Sequence, residues 1–96
     1  MKFEVGDIVI TSYNTGPYVI DSILRGCECS SYLDTINLDD PPKSKKHIHI
    51  ICHVQGEKKR KGRESYLNGY DERGFSVWSD DYLIYRGNAE VQLSLF

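Results

Sequence analysis

The run His47-Ile48-His49-Ile50-Ile51-Cys52-His53-Val54 alternates polar and apolar side chains. A period of two is what a β-strand imposes, because successive side chains leave opposite faces of the pleat. Ile48, Ile50, Cys52 and Val54 then share one face, and the three histidines share the other. A strand with one apolar face has to lie in a sheet that covers a core on that side. The run therefore predicts a β domain built around this strand.

The flanking sequence adds further short strands and little helical periodicity. Phe3-Glu4-Val5-Gly6-Asp7-Ile8-Val9-Ile10-Thr11 ends in β-branched residues and reads as a turn followed by a strand. Asn14-Thr15-Gly16-Pro17 is a turn signal, Tyr18 to Arg25 reads as a second strand, and Gly26 is expected to break it. Residues Ser30 to Lys46 read as an irregular insertion, since Asp39-Asp40-Pro41-Pro42 suits neither a strand nor a helix. After the central strand, Ser65-Tyr66-Leu67 leads to Asn68-Gly69, a tight-turn dipeptide. Phe75-Ser76-Val77-Trp78 reads as a strand, Ser79-Asp80-Asp81 as the cap of a short helical turn, and Tyr82 to Tyr85 as the last apolar segment.

The expected fold class is mostly β: a small barrel of five to six short strands over residues 1–86, with a Cys-containing insertion and a tail over 87–96. The opening Val5-Gly6-Asp7-Ile8-Val9 resembles the start of Src-homology-three-like and KOW-type barrels, over about the first 25 residues. A chain of 96 residues suits one such domain. It contains no apolar run of the roughly 18 residues needed to cross a bilayer. The start lacks the apolar core of a secretory signal, so the expected location is the cytoplasm.

Three cysteines are an odd number, and Cys27 and Cys29 are too close in sequence to bridge easily. Reduced thiols or metal-bound thiolates are the better expectation. Cys27, Cys29, His49 and Cys52 together offer three thiolates and one imidazole, a set that one structural zinc ion accepts. His47 and His53 are spare candidates. His49 and Cys52 face opposite sides of a regular strand, so this set requires a bulge near Ile51. The alternative is that Cys52 is a buried core thiol and the histidines line a polar face.

Charge is strongly segregated. Eight of the twelve basic residues lie between Lys43 and Arg63 with one acid, a formal +7, while the rest of the chain carries −9 and the whole carries −2. Lys58, Lys59, Arg60, Lys61 and Arg63 form a basic run able to contact the phosphates of DNA or RNA, with aromatics such as Tyr66 and Tyr70 nearby to stack on bases. A solvated loop is the plainer reading of the same run. No phosphate-binding glycine loop, H-E-x-x-H motif or nucleophile–base–orienter set appears, so the expectation is a binding protein and not an enzyme.

The last five residues of the sequence are Gln92-Leu93-Ser94-Leu95-Phe96. They resemble the peptide by which bacterial polymerases, mismatch-repair proteins and clamp-associated regulators dock on the DNA polymerase sliding clamp. All five positions match its common form. The resemblance implies that Leu95 and Phe96 fill an apolar pocket of the clamp, Gln92 fixes register, Leu93 adds a lesser contact and Ser94 points outward. It implies an adaptor acting near DNA in replication or repair, in the size range of a plasmid or phage accessory protein. The alternative function is a nucleic-acid-binding barrel, with or without zinc, whose alternating tail residues form a structural strand. A protein-binding module with an unrelated partner is a third reading.

Overall fold

A computed structural model describes residues 2–31, 36, 38–40, 43, 45–57, 62 and 64–89. Five strands form one antiparallel sheet: β1 (Asp7–Thr11), β2 (Tyr18–Cys27), β3 (His47–Val54), β4 (Ser65–Tyr70) and β5 (Leu83–Asn88). The strand order is β4-β3-β2-β1-β5. The first four strands thus form a meander, and β5 returns to pair with β1 at the far side of the sheet. Bringing β5 there from β4 requires residues 71–82 to pass from one edge to the other. Two single bridge pairs mark that passage, Tyr70 with Ser76 and Phe75 with Tyr82. The described sheet is therefore mostly β as expected, with its edges linked by isolated bridges and not by a continuous ladder.

The alternation of β3 has the predicted consequence. Ile48, Ile50 and Cys52 are fully buried, and they join Phe3, Val9, Ile20, Leu67, Tyr70 and Leu83 in one core cluster. Each fully buried aliphatic side chain contributes about 1.5–3 kcal/mol. Ile20 and Ile23 both face this core although their separation is odd. The register of β2 against β3 slips between Ile20 and Ser22, so Asp21 is the extra residue that restores the pattern. At the start of β1, the buried Asp7 carboxylate accepts from the Glu4 amide at 2.8 Å and from Asn88 Nδ2 at 2.9 Å. That residue closes the Val5-Gly6 turn and ties it to the end of β5.

Two glycine expectations need correction. Gly26 does not end β2. It adopts φ of 71° within the strand, beside a register slip between Leu24 and Cys27. Asn68-Gly69 is not a hairpin turn but lies inside β4. Gly69 has φ of 79°, and the β3–β4 register slips between Ile48 and His49, where Tyr70 and Asn68 are the partners. A positive φ serves a bulge as readily as a turn, which is why the dipeptide misleads. Phe75 and Ser76 make only bridge pairs, and residues 79 and 80 are bends, with no helical turn over 79–81.

Gly69 has a second reason to lack a side chain. A Cβ there would lie 2.4 Å from the indole of Trp78. Trp78 is held over it by the Val77 amide, which donates to the Gly69 carbonyl at 2.7 Å. Gly69→Ala combines an unfavourable φ with a clash against a ring that has little room to move. It is expected to lower stability by about 2–4 kcal/mol, read as a shift of the urea midpoint at unchanged slope.

Candidate metal centre

The outward face of β3 begins with His47 and His49, two residues apart and hence on the same side of the strand. Cys27 ends β2 and is the register partner of His47. Cys29 follows two residues later, just past the end of the strand. One donor atom from each of Cys27, Cys29, His47 and His49 falls within 4.8 Å of all the others, close enough to hold one metal ion. The Cys29 sulfur lies 3.3 Å from Nε2 of both histidines, and the two Nε2 atoms are 3.2 Å apart.

The histidines are prepared for this task by their other nitrogens. His47 Nδ1 lies 2.7 Å from the Lys45 carbonyl, and His49 Nδ1 lies 2.9 Å from Asn68 Oδ1. A carbonyl oxygen only accepts, so His47 Nδ1 carries the proton, and the same holds at His49 with the Asn68 amide oxygen turned toward it. Both Nε2 atoms then present lone pairs to the same point. Ligating histidines characteristically hold their tautomer in this way. Trp78 packs edge-on against His47 at a ring separation of 5.0 Å and keeps that ring from rotating. His47 is only 2% exposed as a result of this enclosure.

The thiols respond to each other. The Cys29 backbone amide beside the Cys27 sulfur holds that thiol below its ordinary value, with the Cys29 side chain and His49 adding to the effect. Partial desolvation pushes the Cys29 thiol up, and Cys27 beside it pushes in the same direction. One thiolate is easily formed and the second is resisted by the first. A cation between them removes that conflict.

Of the four ligands expected from the sequence, Cys27, Cys29 and His49 are brought together. Cys52 is not. It is 0% exposed, points into the core and directs its sulfur toward the Ser65 carbonyl at 3.5 Å. No bulge at Ile51 turns it outward, since Ile50, Ile51 and Cys52 pair in unbroken register with Leu67, Tyr66 and Ser65. Burial, with Asp21 adding, pushes its thiol up to about 12. His47 takes the fourth position. Its spacing from His49 was the available signal, since H-x-H on a strand shares a face whereas H-x-x-C does not. His53 lies further along the same face and is engaged by Asp21 at 2.9 Å.

The basic residues Lys58, Lys59, Arg60, Lys61 and Arg63 lie outside the described residues, as do Gln92, Leu93, Ser94, Leu95 and Phe96. All three cysteines are free of disulfides. Among the described residues, no helix is long and apolar enough to cross a membrane. Fold and site together define a five-stranded antiparallel β domain with a Cys2His2 cluster on its outer face. Comparisons with protein-family models, curated proteins and solved structures find no match to this chain.

The two kinds of cysteine differ in a measurable way. At pH 8 a thiol with a pKa near 12 is thiolate in roughly one molecule in ten thousand, so Cys52 is expected to resist alkylation until the protein unfolds. In chelator, Cys27 and Cys29 are expected to react at once, giving two fast thiols and one slow one. Cobalt(II) is expected to give a thiolate charge-transfer band that Cys29→Ser abolishes and Cys52→Ala retains.

Proposed function

We propose that this chain is a non-enzymatic adaptor: a small β domain stapled by one structural zinc ion that docks on the bacterial sliding clamp through Gln92–Phe96. The geometric support is the donor set. A tetrahedral zinc with bond lengths of about 2.0–2.1 Å to nitrogen and 2.3 Å to sulfur places two nitrogens about 3.3 Å apart and a nitrogen and a sulfur about 3.6 Å apart. The Nε2–Nε2 distance of 3.2 Å and the two sulfur–nitrogen distances of 3.3 Å approach those values. Four protein ligands fill a tetrahedral ion. A zinc held this way has no open position for water or substrate, which favours a structural role over a catalytic one.

The docking half of the proposal is carried by the five-position match of Gln92-Leu93-Ser94-Leu95-Phe96. Ala89, Glu90 and Val91 join the pentapeptide to β5 and span at most about 10 Å when extended. A clamp engaged through this peptide would hold the β domain close against it and near the DNA that it encircles, a suitable place for a factor in replication or repair.

Burial of Leu95 and Phe96, less the cost of ordering the peptide, corresponds to a Kd on the order of micromolar. Calorimetry with purified bacterial clamp is expected to show that value for the whole protein. The double variant Leu95→Ala, Phe96→Ala is expected to show no heat of binding. Equal affinity of the double variant would overturn the docking role. Cys29→Ser is expected to lose zinc yet keep clamp affinity, because the two elements act independently.

A further inference from the structure

We infer that the outer face of β2, β3 and β4 is a platform for single-stranded nucleic acid, with Tyr66 as its stacking residue. This face does not belong to the core, and the metal centre occupies only its end. Beyond His49 it forms a groove of about 340 Å³, walled by Leu24, Ile51 and Tyr66 with Ser22 and Asn68 as polar members. Leu24 is 62% exposed and Tyr66 is 60% exposed, so two large apolar side chains stand in water along one strip. An open apolar trough beside an exposed phenol ring suits a flat, unpaired base, which gains by stacking whatever its identity.

Charge selects the kind of occupant. Strands β2, β3 and β4 contain a single acidic residue, Asp21, and His53 engages it at 2.9 Å. Lys43, Lys45 and Lys46 are exposed immediately before β3. The connection that leaves β3 after Val54 and enters β4 at Ser65 carries Lys58 to Arg63 in its sequence. The +7 stretch from Lys43 to Arg63 is therefore β3 with the residues that lead directly into it and most of the connection that follows, while the acids of the β2–β3 connection lie further back, before Lys43. An apolar peptide would gain nothing from that field, whereas a phosphate backbone releases counterions into it.

The metal centre contributes one wall. His49 donates to Asn68 Oδ1, so the Asn68 amide is turned with its nitrogen away from the imidazole. That nitrogen is a fixed donor beside the groove, able to meet a base carbonyl or a phosphate oxygen. Duplex nucleic acid offers no free base face to Tyr66, which is why the platform favours single strands.

The test uses the full, zinc-loaded chain with fluorescein-labelled dT20, rU20 and a 20-base-pair duplex, followed by anisotropy at 50 and 200 mM NaCl. The expected result is micromolar binding to at least one single strand, weakened at least tenfold by the higher salt, with the duplex bound more weakly. The stronger of dT20 and rU20 names the nucleic acid. Tyr66→Ala is expected to weaken binding about tenfold and Tyr66→Phe to preserve it, both variants keeping the wild-type melting temperature because the ring is exposed. The inference is overturned by no binding to either single strand at 50 mM NaCl, by a duplex bound as tightly, or by Tyr66→Ala binding like wild type. Clamp calorimetry on Tyr66→Ala keeps the two readings separate, since clamp affinity is expected to be unchanged.

Discussion

The two-residue period of β3 is the constraint on which the molecule rests. On one side it sends Ile48, Ile50 and Cys52 into the core, and on the other it sends His47 and His49 to the candidate metal centre. Neither set can be moved without the other. A slip of one residue would bury two imidazoles in an apolar interior and expose two isoleucines to water, losing several kcal/mol from the apolar side alone. The register of β3 is thus fixed twice, by oil on one face and by donor chemistry on the other. β2 and β4 adapt to it through bulges at Asp21, Gly26 and Gly69, while β3 itself runs straight.

The bulges explain which parts of the fold were legible in the sequence. The His47–Val54 alternation translated directly into a strand because each side chain reports its own face. Gly26 and Asn68-Gly69 did not, because a glycine with positive φ reports only a local backbone bend. Whether that bend reverses the chain or merely displaces it by one residue depends on the neighbouring strand. In β4 the deciding partner is Trp78, nine residues downstream, whose indole needs the space that a Cβ at Gly69 would fill. The segment from Phe75 to Asp81 was misread for a related reason. Its backbone contacts go to Asp71 and Gly69 and, as bridge pairs, to Tyr70 and Tyr82, each singly, and no periodic pattern in sequence encodes single contacts.

The site was legible to the same degree and failed at the same kind of point. Cys27 and Cys29 were recognisable as a pair of soft ligands, and His49 as their partner. Preference for a third sulfur led to Cys52, although strand parity placed that residue on the wrong face. His47 satisfies parity with His49 and is the register partner of Cys27. What no sequence pattern announced is the support behind these ligands. The Lys45 carbonyl and the Asn68 amide come from different parts of the chain and fix both tautomers.

Trp78 joins the metal centre to the way the sheet holds its edges. Its ring touches His47 on one side and lies over Gly69 on the other, while its indole nitrogen is buried without a hydrogen-bond partner among the described residues. An unpaired N–H costs about 1–3 kcal/mol, so the ring is held there by packing and not by polar contacts. The same segment supplies Phe75 and Ser76, the residues that bridge β4 to the start of β5. A cation that fixes His47 and His49 therefore fixes the surface against which Trp78 packs, and through it the passage between the two sheet edges. In a domain of 96 residues, whose core is small, such a link would give a bound ion leverage beyond its four ligands. It would tie the end of β2, the start of β3 and the β4–β5 connection to one point, three segments that the core alone leaves at its rim.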